Sequence, residues 1–222
     1  MKYPGTIVFD LDGTLVDTAP DLTAALNHAL GELGRPPVDP QAVRHMVGHG
    51  ARKLLERGLA ASGTASPALV EAGVPAFLDY YWLHIADGSR PFEGVEAAMD
   101  RLAAAGCRLA VCTNKPVALA QGLIGALGWT KRFSAVMGFD SVPLPKPDPG
   151  HVWATIEAAG GDVADAAYVG DSMTDVAAAR AAGVPVVAVS FGFSDRPAAA
   201  LGADAVIDHY DALDGVLAGF VR

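Results

Sequence analysis

Residues 6–14 read TIVFDLDGT, and this stretch decides how the fold is interpreted. Its first four residues are β-branched or apolar, which is typical of a buried strand. Asp10 and Asp12 follow, and residues two apart in an extended chain point to the same side. Burying two charges is unfavourable unless they are paired or bind a metal ion. The stretch therefore predicts a functional site at a strand end, with a turn closed by Asp side chains as the alternative.

Five more short apolar runs predict strands: RLAVCTN (108–114), AVMGFD (135–140), AAYVGD (166–171), VPVVAVS (184–190) and ADAVID (203–208). Ala-rich segments with helical spacing lie between most of them, such as 95–106 and 175–183, and each ends in Gly as helices often do. Apolar strands that alternate with helices indicate a parallel sheet covered on both faces. We therefore predict an α/β fold with a Rossmann-like parallel sheet.

One interval interrupts this alternation. Between residues 19 and 88 the sequence has no convincing strand and instead shows amphipathic segments at 21–34, 40–63 and 67–85. A helical cap inserted after the first strand is the simplest explanation. We expect an α/β core domain formed by residues 1–18 and 89–222, and a cap domain formed by residues 19–88.

Composition narrows the possible functions. The chain has 222 residues and a net charge of −9, which argues against a nucleic-acid surface. No apolar run is long enough to cross a bilayer, and MKYPGTIVFD lacks the features of a secretory signal. We expect a cytoplasmic protein whose two cysteines are free thiols, with no membrane partner. An anionic substrate would need local positive charge in so acidic a protein.

Polar residues follow four of the predicted strands, where open parallel sheets bind their ligands. They are Asp10 and Asp12, Thr113 and Asn114, Lys146, and Asp171 and Asp175. Several carboxylates together favour a hard divalent cation such as Mg²⁺. A lysine held between two prolines beside them could neutralise a phosphate, although most lysines are solvated surface charges. Ser172 or Thr174 could cap the helix that follows Asp171.

Four motifs occur in one order along the chain: FDLDGTLVD (9–17), VCTN (111–114), PKPDP (145–149) and VGDSMTD (169–175). Together they resemble the haloacid dehalogenase-like phosphohydrolase superfamily. The resemblance implies that Asp10 is a nucleophile that forms an aspartyl-phosphate and that Asp12 is the general acid and base. It implies that Mg²⁺ is held by the Asp10 carboxylate, the Asp12 backbone carbonyl and Asp171, with Asp175 orienting the metal site. Thr113, Asn114 and Lys146 would bind the phosphoryl oxygens.

The segments HMVGHGARKLLERGL (45–59) and TNKP (113–116) are similar to those of phosphoglycolate phosphatases. This similarity implies 2-phosphoglycolate as the substrate. Gly48 would let a cap loop approach the site, and His49, Arg52 and Lys53 are candidates for contact with the substrate carboxylate. The alternative for Arg52 and Lys53 is a solvated helix face.

Other functions stay open at this point. A different capped phosphatase of the superfamily would carry the same motifs, for example a pyrophosphatase, a sugar-phosphate phosphatase or a phosphoglucomutase-like enzyme. A non-catalytic phosphate-sensing module would share the acidic Mg²⁺ site, but a built-in water activator at Asp12 would shorten the life of its phosphoaspartate. Both a monomer and a homodimer are compatible with the sequence.

Overall fold

The computed structural model describes residues 2–48 and 50–221. The strands are, in chain order, β1 (Thr6–Phe9), β2 (Val16–Asp17), β3 (Arg90–Pro91), β4 (Arg108–Cys112), β5 (Ala135–Met137), β6 (Ala166–Gly170), β7 (Val186–Val189) and β8 (Ala205–Ile207). The helices are α1 (Ala19–Glu32), α2 (Pro40–Arg44), α3 (Ala51–Ala61), α4 (Pro67–Leu83), α5 (Val95–Ala104), α6 (Val117–Ala126), α7 (Pro149–Ala158), α8 (Met173–Ala182) and α9 (Leu213–Phe220).

Six strands form one parallel sheet in the order β5-β4-β1-β6-β7-β8. Strand β1 lies inside the sheet, where Thr6 pairs with Arg108 on one side and with Ala166 on the other. The chain first builds outward from β1 through β4 and β5, and then returns to the other side of β1 with β6. This reversal opens a crevice at the carboxyl ends of the strands, where such sheets bind ligands.

Alternating side chains of the strands pack against helices on both faces. Ile7 and Phe9 join α5, α6 and α9 in one apolar cluster, whereas Val8 joins α7 and α8 in another. Each strand residue in these clusters is almost fully buried, which explains why the strands are apolar throughout. The predicted Rossmann-like α/β fold and all six predicted strands are confirmed.

The helices α1 to α4 form the cap that the sequence predicted. They have an apolar core of their own, to which Leu26, Leu55 and Phe77 contribute. The predicted segment 40–63 divides into α2 and α3, because Gly48 and Gly50 adopt positive φ angles of +103° and +82° between them. No helix in the described ranges is long and apolar enough to cross a membrane.

A two-strand ribbon, absent from the sequence prediction, lies where the chain enters and leaves the cap. Val16 and Asp17 of β2 pair antiparallel with Pro91 and Arg90 of β3. The Asp21 carboxylate at the start of α1 also accepts hydrogen bonds from the backbone N–H groups of residues 88 and 89. These contacts hold the two connections side by side. The division into domains at 18/19 and 88/89, close to this ribbon, stays a prediction.

Candidate active site

The carboxyl ends of the strands bring the acidic residues of the predicted site together. Asp10 follows β1, and its backbone N–H donates to the carbonyl of Val169 on β6 at 2.9 Å. Oxygen atoms of Asp10, Asp171 and Asp175 all lie within 4.8 Å of one another. Lys146 Nζ lies 3.0 Å from Asp10 Oδ1 and 2.6 Å from Asp175 Oδ1. Residues that follow three different strands therefore form one buried cluster.

The loop after β1 turns sharply and supports this cluster. Gly13 has a φ angle of +83°, and its N–H donates to the carbonyl of Val16 at 2.9 Å. A Cβ atom at Gly13 would lie 2.5 Å from Asp171 Oδ2, so a side chain is excluded by space as well as by conformation. Thr14 Oγ1 donates to Asp171 Oδ1 at 3.1 Å. The loop that carries Asp12 thus also orients Asp171.

Two carboxyl groups of the cluster are unfavourable as anions in this environment. Burial raises the pKa of Asp10 to about 7, with the nearby charges of Asp175 and Asp12 adding to the rise against the opposing charge of Lys146. Burial also raises the pKa of Asp171 well above its usual range, helped by the charges of Asp175 and Asp10. Desolvation and like charges both favour the protonated form of a carboxyl group.

Asp175 differs from the other two because its oxygen atoms are fully hydrogen-bonded. Its Oδ1 accepts from Lys146 Nζ at 2.6 Å and lies 3.0 Å from the hydroxyl of Tyr168, whereas its Oδ2 accepts from the backbone N–H and the hydroxyl of Ser172. These partners, Lys146 first, outweigh burial and lower the pKa of Asp175. Ser172 is also the N-cap of α8, so the capping residue is Ser172 rather than Thr174.

The cluster has the composition of a site for a hard divalent cation. The buried carboxyl groups of Asp10, Asp171 and Asp175 face one buried ammonium group, that of Lys146. If all three are ionised, two negative charges stay uncompensated, and a divalent ion balances them. Asp10 Oδ1 also accepts no hydrogen bond within the described residues, although Lys146 lies near it. An oxygen-only donor set in which one buried carboxylate oxygen accepts no hydrogen bond fits Mg²⁺ or Ca²⁺ chemistry.

Lys146 is held rigidly at the centre of the cluster. Its Nζ donates to the hydroxyl of Tyr168 at 2.9 Å as well as to Asp175. Burial disfavours its charge, but the carboxylates of Asp10 and Asp175 outweigh burial and raise the pKa of Lys146. Its backbone N–H donates to His151 Nδ1 at 3.3 Å, and His151 Nε2 lies 3.3 Å from the carbonyl of Met137. A neutral imidazole that donates from Nε2 satisfies both contacts.

The burial of His151 predicts a loss of stability in acid. Burial, followed by the charge of Lys146, lowers the pKa of this imidazole from 6.5 to about 4. The unfolded chain therefore binds a proton that the folded chain does not, and stability falls as the pH drops from 6.5 to 4. Burial of this one group is expected to cost up to about 3 kcal/mol at the acid end.

Denaturant unfolding across this pH range checks the expectation against two variants. His151→Gln keeps one donor and one acceptor, and we expect it to flatten the acid limb of the stability curve. His45→Gln, which changes an exposed side chain, serves as the control and should keep the wild-type curve. Equal pH dependence in wild type and His151→Gln would show that His151 does not cause the loss.

Thr113 and Asn114 join the loops that follow β4 and β5. Thr113 Oγ1 accepts a hydrogen bond from the backbone N–H of Lys115 at 3.2 Å. Asn114 Nδ2 donates to the carbonyl of Lys146 at 3.0 Å. Both residues also line the cavity above the cluster, together with Asp10 and Asp12. The structure thus places these two predicted residues beside the acidic cluster.

Lys115 belongs to the same site, although it was not among the site residues predicted from the sequence. Its side chain is 3% exposed, and its Nζ lies 2.9 Å and 3.1 Å from the two carboxylate oxygens of Asp12. The hydroxyl of Tyr81, on α4 of the cap, accepts from the same Nζ at 2.7 Å. Burial disfavours the charge of Lys115, but Asp12 and Tyr81 outweigh it and raise its pKa. The sequence feature that could have identified Lys115 is the Lys-Pro pair in TNKP, which resembles the Lys-Pro pair formed by Lys146 in PKPDP.

The cap closes the site from above. A cavity of about 480 Å³, counted with its open mouth, lies between the acidic cluster and the cap. The cap contributes mostly apolar side chains, among them Leu22, Leu54 and Phe77, and the loop residues Gly48 and Gly50. A Cβ atom at Gly50 would lie 3.3 Å from the carbonyl of Asn114, so this loop approaches the core closely.

Arg52 and Lys53, two of the basic residues predicted on the cap, do not line this cavity. Arg52 is 61% exposed and forms an ion pair with Glu71, and it lines a neighbouring cavity. Lys53 is 46% exposed and pairs with Glu56. His49 lies outside the described residues. A role of Arg52 and His49 in substrate binding stays a prediction.

The family of the chain follows from comparison with known proteins. The model of the family described as haloacid dehalogenase-like hydrolase matches residues 7–189, which include all four motifs. The chain therefore belongs to the haloacid dehalogenase-like hydrolase family.

Within this family, the chain is similar to proteins that are named phosphoglycolate phosphatases. A phosphoglycolate phosphatase of Caulobacter vibrioides is 50% identical over 210 residues, which cover 92% of this chain and 87% of the relative. A phosphoglycolate phosphatase of Mesorhizobium japonicum is 48% identical over 213 residues, covering 96% and 94%. A crystal structure of a predicted phosphoglycolate phosphatase from Haemophilus somnus superposes with a TM-score of 0.90 at 30% identity, covering 97% and 99%.

Proposed function

We propose that this protein is a Mg²⁺-dependent phosphoglycolate phosphatase that hydrolyses 2-phosphoglycolate to glycolate and phosphate. The observation that carries the proposal is the convergence of Asp10, Asp12, Asp171 and Lys146 at the mouth of the sheet, beneath a small capped cavity. The proposed substrate is taken from two relatives, 48% and 50% identical over most of their length, which are named phosphoglycolate phosphatases.

The first half of the reaction transfers the phosphoryl group to the protein. A carboxylate oxygen of Asp10 attacks phosphorus, and the bond between phosphorus and the glycolate oxygen breaks. Asp12 gives a proton to the departing alkoxide, and Lys146 neutralises charge on the phosphoryl oxygens. Thr113 and Asn114, which follow β4 and line the cavity with Asp10, would hold those oxygens in line for attack.

The second half releases phosphate. Asp12 takes a proton from a water molecule, the water oxygen attacks phosphorus, and the bond from phosphorus to Asp10 breaks with return of the carboxylate. Asp10, Asp171 and the Asp12 carbonyl would hold Mg²⁺, and Asp175 would position Lys146 and the start of α8. When bound, the ion would neutralise the Asp10 carboxylate and the phosphoryl group so that two anions can meet.

The cap would enclose the proposed reaction site. Apolar side chains of α1, α3 and α4 cover the cavity and exclude water from the reacting atoms. A cytoplasmic location, and a monomeric or homodimeric state, accompany the proposal as predictions.

A panel of phosphate esters tests the function. We expect kcat/KM to be highest for 2-phosphoglycolate, lower for sugar phosphates and p-nitrophenyl phosphate, and lowest for pyrophosphate. Addition of EDTA should abolish turnover, and excess Mg²⁺ should restore it. If 2-phosphoglycolate ranks among the poorest substrates while another ester is turned over well, the protein is a different capped phosphatase of this family.

A further inference from the structure

The proposed substrate carries a carboxylate besides its phosphate, so the site needs a second cationic group. Lys146 is 2% exposed and paired with Asp10 and Asp175, where the proposed mechanism uses it to neutralise the phosphoryl group. Lys115 is the one cationic residue among the described residues that line the capped cavity. Because Arg52 and Lys53 are exposed and paired with glutamates of the cap, they are poorly placed for this task.

We infer that Lys115 binds the carboxylate of the substrate and makes the site selective for phosphate esters of short hydroxy acids. The inference rests on the proposed function and assigns one residue to its selectivity. Lys115 lies between Asp12, which would protonate the leaving oxygen, and Tyr81 of the cap, with contacts of 2.9 Å and 2.7 Å. In 2-phosphoglycolate the carboxylate is one carbon away from that oxygen, so a cation beside Asp12 is within its reach.

Local hydrogen bonds hold Lys115 inside the site, so that it is not a mobile surface charge. Its backbone N–H donates to Thr113 Oγ1, which fixes the turn after β4. Its ammonium group also lies 4.4 Å from the ring centre of Tyr81, in addition to the bond with that hydroxyl. The side chains that the cap contributes to the cavity are mostly apolar, so few of them could bind a carboxylate in place of Lys115. A charged hydrogen bond in such an enclosed place is strong.

Tyr81 gives this arrangement a link to the cap. The tyrosine lies on α4 and is 1% exposed, whereas Lys115 belongs to the α/β core. A carboxylate bound at Lys115 would therefore lie at the junction of cap and core. A substrate that lacks the carboxylate leaves this contact unmade.

Selectivity between two substrates of similar size tests the inference. Wild-type protein is compared on 2-phosphoglycolate and on ethyl phosphate, which lacks the carboxylate. We expect Lys115→Met to reduce the ratio of the two kcat/KM values by about 30-fold or more, chiefly through KM for 2-phosphoglycolate. A merely structural role, or an effect through Asp12, would lower both activities together and leave the ratio unchanged.

Matched variants keep the test decisive. Lys115→Gln is a second neutral variant, for the case that Lys115→Met fails to fold, and Lys115→Arg should retain most of the preference because it keeps the charge. Lys131→Met removes an exposed lysine after α6 and should leave the ratio at its wild-type value.

Two results would overturn the inference, and they differ. If wild type prefers 2-phosphoglycolate and both neutral variants keep that preference, the carboxylate is bound elsewhere. If wild type itself shows no preference for 2-phosphoglycolate over ethyl phosphate, the proposed function fails, and the assignment of Lys115 fails with it.

Discussion

Replacement of Asp10 by asparagine is expected to lower kcat for the best phosphate ester by about 10⁴-fold or more. The amide has nearly the shape of the carboxylate but is a very poor nucleophile toward phosphorus. The fold should persist, because the change removes a buried charge that lies beside Asp171 and Asp175, and because Lys146 keeps its ion pair with Asp175. Steady-state kinetics together with a thermal melt measure both parts of this expectation.

A matched variant separates the loss of the nucleophile from a general effect of the substitution. Asp79→Asn makes the same chemical change on the exposed side of α4 and should leave kcat within about twofold of wild type. Substantial turnover by a folded Asp10→Asn protein would mean that another group attacks phosphorus.

Replacement of Asp171 by asparagine is expected to lower activity by about 10³-fold at a fixed Mg²⁺ concentration. Asp171 is buried and held by Thr14 Oγ1 and by the backbone N–H of Phe193 at 2.7 Å, so its carboxylate has a fixed direction. An amide supplies no negative charge for the cation. We therefore expect the variant to lose most of the increase in melting temperature that Mg²⁺ gives to wild type.

Mg²⁺ titrations followed by activity and by melting temperature make this measurement. Asp195→Asn, which changes an exposed carboxylate near the same mouth, is the control and should keep the wild-type response. If Asp171→Asn binds and responds to Mg²⁺ as wild type does, Asp171 is not a metal ligand.

The sequence predicted the sheet well because each strand carries its own signal. Runs such as TIVF are apolar or β-branched throughout, which is what a strand buried on both faces requires. The ribbon of β2 and β3 has only two residues on each side, too few to produce any periodicity. Its pairing depends on contacts between positions far apart in the chain.

The acidic cluster was equally accessible to sequence reasoning. Asp10 and Asp171 each follow an apolar strand directly, where a carboxylate needs an explanation. Tyr168 was missed because it reads as one more apolar residue of β6, although its hydroxyl contacts Lys146 and Asp175. The role of a tyrosine hydroxyl on a buried strand can be recognised only when the structure shows which groups it contacts.

Lys115 and Arg52 show a second limit of predicting site residues from the sequence. A lysine next to a proline in TNKP looks like a surface residue, and only folding brings it between Asp12 and Tyr81. Arg52 looked more promising, since it follows the glycine loop of the cap, but it pairs with Glu71. Lys146 was predicted from the sequence as a positive charge for an anionic substrate, whereas Lys115, which is equally buried, was not.

Detection of a phosphoryl group on Asp10 tests the central claim most directly. Asp12→Asn should still accept the phosphoryl group from p-nitrophenyl phosphate, whose leaving group departs without a proton, but should lose the activation of water. An acid quench with this substrate and Mg²⁺ should therefore trap the phosphorylated protein. Mass spectrometry of the digested protein is then predicted to find one phosphoryl group on the peptide that contains Asp10. An unmodified Asp10 peptide, or a phosphoryl group on another residue in protein that turns over substrate, would contradict the account.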